Sequence, residues 1–474
     1  MIFLILGLPF AGGGLDLILP TNRLRNWILF LIALAHLGCV VSFWLIPPPA
    51  VINGFLALDS FSIIILSVIS ILFFAVSLYA AGYVQNEKGR SNRIFTACLL
   101  FLLFSMTLVT MSQHLGLFWI AMEATTLMCA PLIYFHHRPQ ALEATWKYLV
   151  IGSVGIALAL LGTFFLAISA LEIKSLLLSD LISQAASLSV PWLKLAIVFL
   201  TVGYGTKMGL VPMHSWKPDA YGEAPGPVGA LLAGAVTNCA FLAFLRMSQI
   251  CHAADQAEFL KPILLAIGIA SMALASFFML GQIDFNRLLA YSSIEHMGIL
   301  ILGLGLGGLG IYGSLFHAVN NAFSKGLIFL VSGNLYQQYR TKRIGNIQGV
   351  LKSFPFTGGL LVVALLAVTG IPPFGTFFSE FMILNAALAT AHYSLAFFYL
   401  LFLSIVFVAM SSVVLKMARG LPENREVELN PNQKESWITT VSPLFLAGIA
   451  LLLGLCVPSF LNQALQKSSA FLGG

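Results

Sequence analysis

Seven ionisable residues stand in stretches of this chain that are otherwise apolar. They are Glu123 in LFWIAMEATTLM, Lys207 in TVGYGTKMGLVP, Glu295 and His296 in AYSSIEHMGIL, His317 and Lys325 in LFHAVNNAFSKGLIFL, and Glu380 in FFSEFM. A charge at the centre of a hydrocarbon layer costs about 2.5–3.5 kcal/mol on insertion scales, so it is rare there without a partner or a task. Buried protonatable groups suit one chemistry in particular, the hand-to-hand transfer of protons. An ammonium taken out of water loses the hydration that favours its charged form, and a carboxylate brought near restores it. A Lys–Glu pair whose separation changes can therefore load and release a proton. His317, Asn321 and Lys325 are spaced four apart and share one helical face over about 12 Å, with Ser324 at its edge. Tyr291, Ser292 and Glu295 form a shorter stripe. Such rows must face protein or water, not lipid. For any one of these residues the plainer reading, an ion pair that locks two helices, stays open.

The elements that carry them are set by composition. Of 474 residues 59% are hydrophobic and 9% charged, against roughly a quarter charged in soluble domains, so the chain cannot clothe itself in a solvated surface. It is expected to be an all-α polytopic membrane protein: about fourteen apolar runs recur, each long enough to cross roughly 30 Å of hydrocarbon, and the alternation of a membrane barrel is absent. The runs fall near 1–19, 27–46, 57–84, 93–111, 114–135, 147–171, 192–214, 225–248, 261–281, 288–306, 309–336, 356–390, 393–417 and 437–458. With the N-terminus placed outside, the inside connections receive Arg23, Arg25, Lys88, Arg90, Arg93, Arg138, Lys147, Lys217, Arg287, Arg340, Lys342, Arg343, Lys352, Lys416, Arg419, Arg425 and Lys434. The outside keeps Lys174, Lys194, Arg246, Lys261 and Lys467. That skew predicts an even number of spans with both termini outside. Lys207 and Lys325 fit neither side. The net charge of +6 is thus a topology signal, not a nucleic-acid patch.

Two of the runs are broken. TKMGLVP in the seventh, with Pro212, and TGIPPFGTFFSEF in the twelfth, with Pro372 and Pro373, each set an ionisable residue beside Gly and Pro. Paired broken helices in corresponding places of two halves point to an inverted-repeat transporter. The expected division is a three-helix segment over 1–91, a first five-helix repeat over 92–250 broken near 207–215, and a second, inverted repeat over 251–418 broken near 370–380. A polar loop and last span follow over 419–474. Six cysteines are scattered through the runs with no C-x-x-C, which predicts inert thiols instead of disulfides or a cluster. The N-terminal MIFLILGLPFAGGGLDL lacks a basic n-region and is expected to be a retained helix.

The run KMGLVPMHSWKPDAYGEAPGPVGALL, followed by NRLLAYSSIEHMGI, FHAVNNAFSKGLIFLVSGN and GIPPFGTFFSEFMIL, resembles the successive motifs of the antiporter-like subunits of respiratory complex I and of Mrp-type cation/proton antiporters. The likeness covers roughly 90–415, and SSIEHMG with FFSEFMIL looks most like the hydrogenase-4 component F branch, found in membrane-bound [NiFe] hydrogenases of the formate hydrogenlyase type. The resemblance implies an input pair of Glu123 and Lys207, a central Lys325 preceded by His317, and a terminal Glu380. It also implies other membrane subunits and a peripheral [NiFe]/Fe–S arm as partners, protons as the ion with Na⁺ as the alternative, and a prokaryotic inner membrane as the location. This sequence departs from the family pattern at Asn238, where many relatives carry Lys or His, and at Asn321, where many carry a second His; an amide can position water but cannot store a proton. The chain is also expected to lack the lateral helix of one complex I subunit.

Other signals are weaker. GLGLGG at 303–308 ends an apolar helix with no strand before it, which argues against a dinucleotide loop. His136 and His137 lack metal-spaced partners, and the polar segment 418–436 reads as a solvated loop with partner docking as the alternative. No cofactor, metal or catalytic redox centre is expected. Three functions remain: a proton-translocating subunit of a membrane-bound redox complex, of hydrogenase or complex I type; a subunit of an Mrp-type Na⁺/H⁺ antiporter; and a membrane anchor whose charges only lock helices.

Overall fold

Gly and Pro punctuate a chain that is otherwise helical. A computed structural model describes residues 1–85, 91–420 and 435–473. Lys88, Arg90, Arg425, Lys434 and most of the 418–436 segment lie outside the described residues. The first five runs fold as α1 (Ile2–Ile18), α2 (Asn22–Leu45), α3 (Ser60–Gln85), α4 (Arg93–Met111) and α5 (Leu115–Ile133). Then come α6 (Pro139–Ser169), the short α7 (Leu178–Ser183), α8 (Val190–Met208), the short α9 (Trp216–Glu223) and α10 (Gly226–Leu231), which passes through a wide turn at 232–236 into α11 (Thr237–Ala253). The second half holds α12 (Ala257–Met279), α13 (Phe285–Leu306), α14 (Leu309–Tyr339), the one-turn α15 (Val350–Ser353), α16 (Pro355–Val368), α17 (Gly375–Ala389), α18 (Tyr393–Arg419), α19 (Trp437–Leu455) and α20 (Ser459–Phe471).

Every apolar run of the sequence is helical. Ten of the helices are long and apolar enough to cross a membrane, and α1, α16 and α17 are shorter apolar helices. The equally long α8 and α14 carry buried polar residues that lower their hydropathy. Large apolar side chains such as Phe3, Trp27, Phe277, Phe397 and Trp437 face outward, as a lipid-facing rim requires. Inside that rim α13, α14 and the α10–α11 unit are buried almost end to end, with α14 packed among α3, α10, α13, α16, α17 and α19. The polar stripe of α14 therefore sits at the centre of the bundle. The helix α20 was not expected from the sequence.

Both breaks are closed by one device. Helix α8 stops at Gly209, whose φ of +79° is left-handed, and the amides of Gly209 and Leu210 both bond to the Gly205 carbonyl. Two side chains then return from α9 to the last carbonyls of α8: Trp216 Nε1 donates to Thr206 O at 2.8 Å and Lys217 Nζ to Met208 O at 2.9 Å. In the second break α16 ends at Val368, Gly370 takes φ +61°, and Thr376 Oγ1 in α17 donates back to Ala367 O at 2.5 Å. The non-helical link spans only 369–374, which leaves Glu380 in the second turn of α17.

On its outer side α9 is gripped by charge. Asp219 accepts from Lys147 at 2.9 Å and Arg287 at 2.8 Å, and Lys342 donates to Gly222 O while lying 3.3 Å from Glu223. Arg246, expected near the outer edge, is instead 2% exposed: its guanidinium grips the Asp59 carboxylate and donates to Ser62 and Gln249, tying α11 to the start of α3.

Candidate functional site

Lys207 closes the last turn of α8 and is 1% exposed. Its ammonium donates to Thr126 Oγ1 at 2.7 Å and Tyr148 OH at 3.1 Å, and lies 5.3 Å from the centre of the Tyr148 ring. Thr126 in turn donates to Glu123 Oε2 at 3.1 Å, and Ser153 donates to Glu123 Oε1 at 3.0 Å. Glu123 and Lys207 are thus joined through one hydroxyl, with no direct ion pair between them.

The second group lies across α13, α14 and α17. Lys325, fully buried, donates to Ser292 Oγ at 2.5 Å. Glu295 and His296, both 1% exposed, follow on α13, with Glu295 Oε2 3.5 Å from His296 Nε2. His296 Nδ1 and His317 Nε2 share a hydrogen bond of 3.0 Å, and His317 Nδ1 meets Ser379 Oγ at 2.8 Å. Proton positions follow from the last link. Ser379 gives its hydroxyl hydrogen to Thr376 O at 2.8 Å, so it accepts from His317 Nδ1–H. His317 Nε2 then accepts from His296 Nδ1–H, which leaves His296 Nε2 a bare acceptor facing Glu295. A protonated Glu295 could donate there, and one polarity of hydrogen bonding would run from Glu295 to Ser379.

Glu380, next to Ser379, is 8% exposed, and its carboxylate lies against the second break: a Cβ on Gly370 would come within 2.1 Å of Oε2. It lines a cavity of about 340 Å³ with Thr369, Ile371 and Tyr399. Ligand atoms of His296, His317 and Glu380 lie within 4.8 Å of one another, so these three could also hold a metal ion, although the hydrogen bonds above already engage both nitrogens of His317.

The two asparagines differ. Asn238 Nδ2 donates to Gly234 O at 2.9 Å and Ala318 O at 3.2 Å, tying the wide turn between α10 and α11 to α14. Asn321 is 1% exposed, and neither atom of its amide finds a protein partner. Pro212, Pro372 and Pro373 lie in the two links. His36 shows what a histidine with a packing role looks like here, with its nitrogens held by Ser70 and Thr107 at 2.9 Å each.

As with Arg246, the burial of a further basic residue was missed from the sequence. Lys217, expected among the solvated inside connections, is 0% exposed. Its Nζ donates to Met208 O and reaches Ser293 O at 3.5 Å, between the two groups just described. A lysine ten residues after Lys207, flanked by Trp216 and Pro218 directly after a helix break, is the signal that could have drawn attention to it.

Residues 112–408 match the family described as NADH:quinone oxidoreductase/Mrp antiporter, transmembrane. A hydrogenase-4 component F homolog of Methylacidiphilum infernorum is 35% identical over 394 residues, covering 80% of this chain and 82% of that one. The NADH-quinone oxidoreductase subunit N of Desulforudis audaxviator is 32% identical, covering 73% of this chain and 68% of its own length. Among solved structures, a chain of the membrane-bound sulfane sulfur reductase, an archaeal respiratory membrane complex, superposes with a TM-score of 0.86 at 21% identity, covering 99% of this chain and 97% of that one. With its helical membrane architecture and these matches, the chain belongs to the NADH:quinone oxidoreductase/Mrp antiporter transmembrane family, among antiporter-like subunits of the hydrogenase-4 component F and NADH-quinone oxidoreductase subunit N kind.

Proposed function

We propose that this chain carries protons through the membrane part of a multi-subunit redox complex of the hydrogenase type for which its hydrogenase-4 relatives are named, with the [NiFe] centre that the family resemblance implies. The observation that carries this reading is the gathering of buried protonatable groups into two clusters, one beside each helix break. Glu123, Thr126 and Lys207 make the first group; Lys325, Glu295, His296, His317 and Glu380 make the second. Polar atoms without a protein partner, namely Glu295 Oε2, His296 Nε2, Asn320 Oδ1 and both amide atoms of Asn321, cluster along the second group, where water is the partner their chemistry demands. The break after Lys207 and the one before Glu380 supply points where each end can flex.

In this reading residues 92–250 and 251–418 are the two inverted repeats, preceded by 1–91 and followed by 419–474. The chain lies in the inner membrane of a prokaryote with both termini outside. Neighbouring membrane subunits abut it, and a peripheral arm holding [NiFe] and Fe–S centres drives it. Electron transfer in that arm shifts charge near Glu123, changes its grip on Lys207, and sends a proton towards Lys325 and Glu380.

The test is proton uptake by proteoliposomes of the intact complex, with Lys207→Met and Lys325→Met introduced one at a time and sodium flux followed in parallel. Each substitution is expected to stop proton uptake while the complex assembles and turns over its electron donor. Undiminished uptake in both would refute the reading, and loss of sodium flux with proton movement driven only by the sodium gradient would replace it with antiport.

A further inference from the structure

Between Lys207 and Lys325 the two clusters leave a gap. Lys207 donates to Thr126 and Tyr148 on its α5 and α6 side, whereas Lys325 donates to Ser292 on α13. Asn238 does not fill the gap: its Nδ2 is committed to two backbone carbonyls, and its partnerless Oδ1 can hold a water but cannot store a proton. One other ammonium is buried there. Lys217 Nζ sits on the carbonyl of Met208, the residue after Lys207, and within 3.5 Å of the carbonyl of Ser293, the residue after the Ser292 that receives Lys325. Its charge and that of Lys325 are near enough to repel. Its stem fills the space beside Gly209, where a Cβ would lie 2.5 Å from Lys217 Cδ. No carboxylate among the described residues forms an ion pair with it, so its hydrogen bonds all go to neutral acceptors.

We infer that Lys217 is a proton-carrying residue that joins the Lys207 group to the Lys325 group across the first helix break. The inference rests on the proposed proton path. Repulsion couples the two sites: a proton arriving on Lys217 drives the one on Lys325 onward, and the vacated Lys325 amine then takes the proton from Lys217. The proton is neither made nor consumed; it passes from amine to amine, directly or through water. The titratable groups around Lys217 are Tyr221 on α9, Lys325 on α14, His296 on α13, His214 in the break, and Tyr148 on α6, whose ring packs on Trp216. Lys147 and Arg287 are taken up by Asp219 on the outer face of α9.

A purely structural Lys217 would be a cap on the α8 carbonyls, and the test must separate the two roles. Lys217→Gln keeps an N–H donor for Met208 O and loses the titration; Lys217→His keeps a titratable group with a lower affinity for protons. In proteoliposomes of the intact complex, Lys217→Gln is expected to slow proton uptake at least about tenfold with assembly and electron turnover retained. Lys217→His is expected to restore part of the uptake with its pH profile displaced to lower pH. Uptake at the native rate in Lys217→Gln, or an unshifted pH profile in Lys217→His, would overturn the inference, as would failure of both variants to assemble. If Lys207→Met and Lys325→Met stop uptake while Lys217→Gln does not, the path stands and only the role of Lys217 falls.

Discussion

Replacing Thr126 by valine removes one hydroxyl and leaves the shape of the side chain, so it isolates the link between Glu123 and Lys207. The Lys207 ammonium has three N–H donors, and two partners are in place, Thr126 at 2.7 Å and Tyr148 at 3.1 Å. Valine leaves it with Tyr148 and also takes away the hydrogen bond that Thr126 gives Glu123. A hydrogen bond to a charged group contributes about 1.5–3 kcal/mol, so the protonated form of Lys207 becomes harder to populate by a factor of about 10–150. If proton entry passes through that form, the uptake rate should fall within this range. The assay is dye-monitored acidification in proteoliposomes of the intact complex, with Thr126→Ser as the control. Serine keeps the hydroxyl and should behave like the native residue. Native uptake in Thr126→Val, with the complex assembled, would show that the hydroxyl bridge plays no part.

Gly370→Ala places a side chain at a left-handed position, which costs about 1–2 kcal/mol, and sets its Cβ 2.1 Å from Glu380 Oε2; the thermal midpoint in detergent should drop and proton uptake should fail with it. Asp59→Asn leaves the buried Arg246 without its counter-charge. Because the Asp59 side chain is 33% exposed, the loss should fall below the roughly 3–5 kcal/mol typical of a fully buried pair, at about 2–3 kcal/mol, read as a lower midpoint with coupling retained in the surviving protein. Asp219→Asn cuts two half-exposed ion pairs and should cost no more than about 2 kcal/mol in stability while flattening the salt dependence of proton uptake.

The spans were legible because apolar runs of membrane length have few other uses, and the breaks because Gly and Pro interrupt two of those runs. Glu123, Lys207, Lys325 and Glu380 stood out by their apolar flanks alone. Lys217 did not, because Pro218 and Asp219 beside it read as a solvated turn; only the fold of α9 back under α8 buries it. Asn238 reads from the sequence as a residue that cannot store a proton, and the structure adds that its Nδ2 holds the wide turn against α14. Arg246 looked like a charge at a span end, and its partner lies 187 positions away. The polarity of the His296–His317–Ser379 chain depends on which hydroxyl donates to which carbonyl, a matter of ångströms that no spacing encodes.

The grip on α9 has a further consequence. Lys147 and Arg287 keep 44% of their side chains in contact with solvent, so the charges that hold this short helix can be reached by dissolved ions. Screening at physiological ionic strength acts over about 8 Å. Electrolyte on that side of the membrane can therefore loosen or tighten the helix without titrating any group in the bilayer. A docked protein offering a guanidinium would compete for Asp219, and one offering a carboxylate would compete for Lys147 and Arg287, steering the buried machinery from the aqueous rim.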